Sequence, residues 1–205
     1  MEDNFVLQIP KPIENLSLPD PTLLTYYKDL GKRIFWLEDE VTEQTLEIIR
    51  KIIEWNREDK GLEVKDREPI KIFFFSPGGD LDVNYALIDT IRMSKTPVYG
   101  FNVGRCCSAA AYIYLSCHKR FMMPHSHFVF HQGSGRFQGS YAEIISQIQD
   151  YQGQVDELAK FMKERTLYTE EEITENIVTE WYVRQEEALE KGICHELITD
   201  ISVLL

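Results

Sequence analysis

Residues Ile70–Phe75 read IKIFFF, six positions of which five are apolar and none alternates with a polar neighbour. A strand with one wet face alternates, whereas a strand covered on both faces does not. This segment therefore demands cover above and below. The stretch around it supplies that cover: Asp80 can cap a helix carrying Val83, Ala86, Leu87 and Ile91, and a further strand, Pro97–Phe101, follows. Upstream, Lys32–Leu37 reads as a strand. Thr42 opens a helical pattern with Leu46, Ile49, Ile53 and Trp55 as apolar positions. The polar stretch Asp59–Glu68 reads as a loop. Strand alternating with helix predicts an α/β fold with crossover connections.

Beyond Phe101 the run CCSAAAYIYLSC reads as a helix, and RFMM and HFVFH as two short strands. Ser140 and Glu143 form a capping box that opens one long helix to Arg165. Along it Ile144, Ile148, Tyr151, Val155, Leu158 and Met162 recur at steps of four and three. That stripe suits either a partner surface outside the globule or packing within this domain. Thr169 and Glu172 open another helix, and the last, Arg184–Ile193, carries Gly192 as its C-cap. Residues 1–22 hold Pro10, Pro12, Pro19 and Pro21 without periodicity and read as a flexible arm; 23–205 read as a single domain.

The chain has 205 residues and a formal net charge of −12, which disfavours nucleic acid as a partner. No apolar run spans a bilayer and the N-terminus lacks the basic start and apolar block of a secretory leader, so a soluble, cytoplasmic protein without a membrane partner is expected. Cys106, Cys107, Cys117 and Cys194 include no CxxC pair, and the HxH of His125 and His127 has no evident third ligand. No metal or cofactor is expected.

Ligand sites in open α/β sheets gather where strands end and helices begin. Three such points carry chemistry here. SPGGD, Ser76–Asp80, places two glycines after the buried strand, where amide N–H groups can face an oxyanion. Ser108 starts a helix, and Ala109–Ala111 leave room around its hydroxyl. His131 closes an apolar strand before a glycine-rich turn, and imidazole is the usual base for a serine. Each alone suits an ordinary turn, helix start or half-buried histidine; together they supply nucleophile, base and oxyanion donors.

Three stretches, FFFSPGGDLD, GRCCSAAAYIYLSCHKRFMMPHSHFVFHQ and EEALEKGICHEL, resemble the ClpP family, the proteolytic subunit of Clp protease, from about Tyr26 to the C-terminus. The resemblance implies a ClpP/crotonase-like superhelix of strand–helix units with a protruding handle helix at about 140–165. It implies Ser108 as nucleophile, His131 as general base, and the Gly78 and Ala109 amides as oxyanion donors. Gly79, Gly133, Ser134 and Gly135 would bind substrate, the Gly133–Gly139 segment pairing with an extended peptide. The implied assembly is a homo-oligomer of stacked rings, a tetradecamer, fed with polypeptide by a AAA+ unfoldase, and the handle favours the partner-surface reading of the stripe. The family acid is an aspartate; here Glu180 falls at that place, ahead of Asp150 and Glu175. Phe75 and Gly133 stand where the family has a polar residue and proline, and the N-terminal arm differs. Two alternatives remain at this stage: a non-catalytic or weakly active ring subunit supporting a paralogue, and a crotonase-like acyl-CoA enzyme.

Overall fold

In a computed structural model, residues 20–204 are described. The arm expected over 1–22 lies almost wholly outside them. Asp20 caps a helix, α1 (Pro21–Gly31), by accepting from the Thr22 N–H at 2.9 Å. A separate compact unit begins at Arg33.

Within that unit, β1 (Ile34–Leu37), β2 (Ile70–Ser76), β3 (Val98–Cys107) and β4 (Lys119–Met122) run parallel in that order, ending on β7 (Glu196–Leu197). The crossover helices are α2 (Leu46–Glu58), α3 (Leu81–Met93) and α4 (Ala109–Ser116). β2 lies between β1 and β3 with Ile70, Ile72, Phe73 and Phe74 buried, as its unbroken apolar run demands. β5 (His127–Phe130) pairs parallel with the last residues of β3, and β6 (Trp181–Val183) pairs antiparallel with β5. The fold is thus the expected α/β type with a largely parallel sheet.

β3 forks. Its first part, Tyr99–Asn102, pairs with β4; its last part, Arg105–Cys107, pairs with β5. Asn102 sits at the branch, fully buried, donating Nδ2 to His127 O at 2.9 Å and accepting from Gly104 N–H at 3.1 Å. A buried amide with both ends satisfied fixes one geometry, and this one directs β3 toward β5.

Two sequence expectations shift. In α2 the buried positions are Ile48, Ile52 and Trp55, while Ile53 is half exposed, so the apolar face is rotated by about one residue from the expected set. Consecutive isoleucines at 48–49 and 52–53 leave that phase ambiguous in sequence. Cys106 and Cys107 end β3 instead of opening the helix, because Ser108 breaks the two elements apart. The polar stretch 59–68 contains two 3-10 turns, and Asp59 is buried there, held by both Arg33 guanidinium nitrogens at 2.6 and 2.9 Å and by Thr96 Oγ1 at 2.8 Å.

Helix α4 is buried on every side, consistent with its lack of a polar face. Its C-terminal carbonyls meet cations: Arg120 and Arg165 donate to Leu115 O at 2.7 and 2.9 Å, and Arg165 also to Cys117 O. Its other end starts directly after Ser108. The long helix α5 (Tyr141–Arg165) has the expected capping box at Ser140 and Glu143. It is followed by α6 (Glu170–Asn176) and α7 (Gln185–Glu190). The α5 stripe divides: Val155, Leu158 and Met162 are buried in this unit, Ile144 and Tyr151 are partly covered, and Ile148 is exposed. No helix among the described residues is long and apolar enough to cross a membrane.

Candidate active site

Ser108 occupies the junction of β3 and α4 at φ +52°, ψ −129°. That region is strained for any residue with a Cβ, and such strain persists only where neighbours enforce it. They do so here. The Ser108 N–H donates to Val129 O at 2.7 Å, and its carbonyl accepts from Ala111 N–H at 2.9 Å. The sharp strand-to-helix turn lifts the side chain off the sheet, the geometry of a nucleophile elbow. Ala109 supplies the first orphan amide of α4, and all three alanines are buried.

The SPGG turn closes against this corner. Gly78 has φ +95°, and a Cβ built on it would stand 2.6 Å from both Cys107 O and Ser108 Cβ, and 2.9 Å from Ala109 N. Only glycine fits such an approach. Val41 pins the turn, donating to Gly78 O at 2.8 Å and accepting from Asp80 N–H at 2.9 Å, and it bridges to Gly79. Buried Ser76 links its hydroxyl to Asp39 O at 2.5 Å and accepts from the Gly78 N–H at 3.2 Å. The turn is therefore built from two loops, and the Gly78 amide is engaged by its own serine.

His131 leaves β5 beside this corner, because β5 runs along β3 with Val129 opposite Cys107. The β5–β6 register, Phe130 opposite Trp181, extends one step to set Glu180 opposite His131. The backbone packs Gly78 against Ser108 and Ala109, and the sheet register carries the ends of β5 and β6, where His131 and Glu180 stand, toward the same end of β3. The side chains hold other partners. His131 Nδ1 accepts from Gly133 N–H at 3.0 Å, and Glu180 Oε2 accepts from Tyr182 OH at 2.6 Å. That bond raises the Tyr182 phenol above its usual range. Asp150 lies on exposed α5, bonded to Gln154, and Glu175 is exposed on α6.

Residues 133–139 are exposed and lie outside any strand or helix. Tyr151 holds their start, its hydroxyl donating to Gln132 O at 2.9 Å while its ring meets Phe137 edge-on at 5.8 Å. Sequence reading placed Tyr151 in the α5 stripe and missed this clamp. β6 was missed too, although WYV is the kind of aromatic, β-branched triplet that strands favour.

A sequence model of the Clp protease family matches residues 22–200. The chain belongs to the Clp protease family. It is 28% identical to "ATP-dependent Clp protease proteolytic subunit 2" of Treponema denticola over 197 residues, covering 95% of this chain and 94% of that one. It is 27% identical to "ATP-dependent Clp protease proteolytic subunit 1" of Chlamydia felis, with 93% of each chain covered. A subunit 2 of Chlamydia trachomatis is 29% identical over the same share. At these identities the chain is a divergent member of that family. Proteins of this family generally form rings that work with Clp ATPases.

Proposed function

We propose that this Clp family chain is a serine endopeptidase that hydrolyses peptide bonds of unfolded polypeptide inside an oligomeric chamber. Ser108 Oγ attacks the scissile carbonyl, and His131 takes its proton and returns it to the leaving amine. Glu180 orients the ring and stabilises the imidazolium. The Gly78 and Ala109 amides receive the oxyanion. A water then repeats the cycle on the acyl-enzyme. Gly79 and the segment Gly133, Ser134 and Gly135 offer free edges to an extended substrate. In this reading the exposed half of α5 meets a facing ring in a cytoplasmic tetradecamer, and a AAA+ unfoldase delivers the chain.

The observation that carries the reading is the strained Ser108 backbone at the head of α4, with Gly78 packed against it too closely for any side chain. Catalysis by this route requires three local exchanges: the Gly133 N–H must release Nδ1, Glu180 must turn from Tyr182 to the imidazole, and the Gly78 N–H must turn from Ser76 Oγ to the oxyanion. A fluorophosphonate probe tests it. The wild type should be labelled and Ser108→Ala should not. Labelling that persists in Ser108→Ala, or a folded wild type that stays unlabelled, rules the reading out.

Those same three hydrogen bonds favour a second reading, a ring subunit that supports active paralogues without cleaving peptides. Hydrolysis rates of the wild type and Glu180→Ala, each purified alone, separate the two. A wild-type rate well above that of Glu180→Ala supports the endopeptidase; equal background rates support the second reading.

A further inference from the structure

The family's polar residue before SPGG is Phe75 here, and that substitution has a structural partner. β3 bulges opposite it: Phe74 pairs with Asn102 and Ser76 with Cys106, so three β3 residues face one of β2. The middle of the bulge, Gly104, has no side chain, and a Cβ there would strike the Phe75 ring at 2.6 Å. The ring therefore crosses Gly104 and lies 45% exposed, with the Arg105 guanidinium over its face at 5.2 Å. An arginine laid on an aromatic face is ordered without losing its donors.

Arg105 does not stand alone. It pairs in register with His127 on β5, and the β5–β6 register extends to set Arg184 opposite His127. Three strand positions thus form one row: guanidinium, imidazole, guanidinium. Burial and then the fields of Arg184 and Arg105 hold the His127 ring below its usual pKa, so both arginines act on one point. The Tyr182 ring, 6.2 Å from His127, borders the row. Arg105 and Glu180 both act on the half-buried Cys107 thiol, the first lowering and the second raising its pKa, while burial raises it most. Arg105, Cys107, His127, Tyr182 and Glu180 therefore share one face, the face that leads to Ser108. The carboxylate nearest along this face is Glu180, already bonded by Tyr182. Among the described residues no salt bridge involves Arg105 or Arg184. In a chain of net charge −12, two arginines that both act on His127 give this strand face a local positive charge suited to a carboxylate.

We propose that Arg105 and Arg184, with Phe75 holding the first in place, form a substrate subsite for an acidic side chain. The proposal rests on the endopeptidase reading for where the peptide lies. Arg105 precedes Ser108 by three strand residues, about 10 Å. A peptide extended along this face with its scissile bond at Ser108 brings a side chain two or three residues away onto the row. Aspartate or glutamate there gains charge-assisted bonds to one or both forks; asparagine and lysine do not.

The test uses fluorogenic peptides identical except for Asp, Asn or Lys at positions two and three on either side of the cleaved bond. In the wild type, Asp at one of these positions should exceed Asn in kcat/KM by about three- to tenfold. That ratio should fall toward one in Arg105→Gln and Arg184→Gln, partly in Phe75→Leu, and in the wild type at high salt. The same ratio is read without catalysis, as peptide affinity for Ser108→Ala by fluorescence anisotropy. Failure of turnover with an Asp preference in binding would sink the endopeptidase reading and keep the subsite. An Asp-to-Asn ratio of one or less in both assays, a ratio unchanged in both arginine variants of normal melting temperature, or no binding of any of these peptides overturns the subsite.

Discussion

The serine corner and the histidine strap sit side by side and are built in opposite ways. Around Ser108 the constraints come from sheet and turn backbone, Val129 O, the Ala111 N–H, the Gly78 approach and Val41 across the SPGG turn, and from the buried side chains of Ser76 and Asn102 behind it. Nothing there can move without breaking the sheet. Around His131, besides one backbone bond from Gln132 N–H to Ile177 O at 2.8 Å, the constraints are few and exposed: one Gly133 N–H on Nδ1, one Tyr151 hydroxyl on Gln132 O, and Gln147 on Gln138 O at 3.3 Å. Each is a surface hydrogen bond, worth about 0.5–1.5 kcal/mol net and remade at little cost. The contrast says that the nucleophile is fixed in advance, whereas the proposed base takes its working tautomer only when the strap after it is displaced. A substrate strand seated on residues 133–139 would do that.

The largest expected effect tests the strap side. Glu180 follows the last β5–β6 pair, Phe130 with Trp181, and Glu180→Gln removes the charge that in the proposed mechanism stabilises imidazolium while keeping the shape. Fluorophosphonate labelling and peptide turnover should fall about 10³- to 10⁴-fold. A rate within threefold of wild type would take Glu180 out of the mechanism and leave the ring in the service of Gly133 alone. Next comes the serine side. Gly78→Ala forces a Cβ into Cys107 O and Ser108 Cβ at a φ of +95°, and turnover should drop by about 10²- to 10³-fold through a displaced oxyanion amide. Gly61→Ala, where a Cβ meets nothing within 4 Å, is the control and should leave turnover and melting as they are. Tolerance of Gly78→Ala would mean that the corner yields, and the contrast between the two regions would be lost.

This division also explains what could be read in the sequence. The serine corner announces itself through residues that have no other use: an unalternating strand, paired glycines, a serine between small residues. Those signals are steric and local, so the alternation of strands and helices was legible and Ser76–Asp80 and Ser108 stood out, whereas the order of the strands in the sheet did not. The strap side depends on contacts far apart in sequence. Tyr151 reaches Gln132 across 19 residues, and β6 is three residues long, so neither leaves a periodic trace. Glu180 was placed by resemblance alone, and its register opposite His131 follows from the β6 pairing. Phe75 looked like a departure from the family; its meaning lies in the bulge at Gly104, which no spacing reveals. The α2 face was misphased because adjacent isoleucines offer two helical stripes, and contact with the sheet selects one.

A smaller effect sharpens the idea that the strap is adjustable. Tyr151→Phe deletes the hydroxyl bond to Gln132 O and keeps the ring against Phe137. If that bond helps hold the strap where Gly133 occupies Nδ1, its loss should speed probe labelling about two- to fivefold. Slower labelling, or none of this gain, would show that the strap's position is set elsewhere along α5.

The smallest effect concerns strain in the serine corner and is read in a protein that no longer reacts. Ser108→Ala and Ser108→Gly both lack the hydroxyl, so they differ only in the Cβ at a backbone of φ +52°, ψ −129°. Holding a residue with a Cβ there costs of order 1–3 kcal/mol, from which the greater freedom of unfolded glycine subtracts up to about 1 kcal/mol. In a chain of this length the net should raise the melting temperature of Ser108→Gly over Ser108→Ala by about 2–6 °C. At nearly every other position in a strand or helix the glycine variant would melt lower, so the sign alone decides. An alanine protein as stable as the glycine one would mean that the sheet, the fork and the SPGG turn are not enforcing this conformation, and the serine side would be no more fixed than the strap.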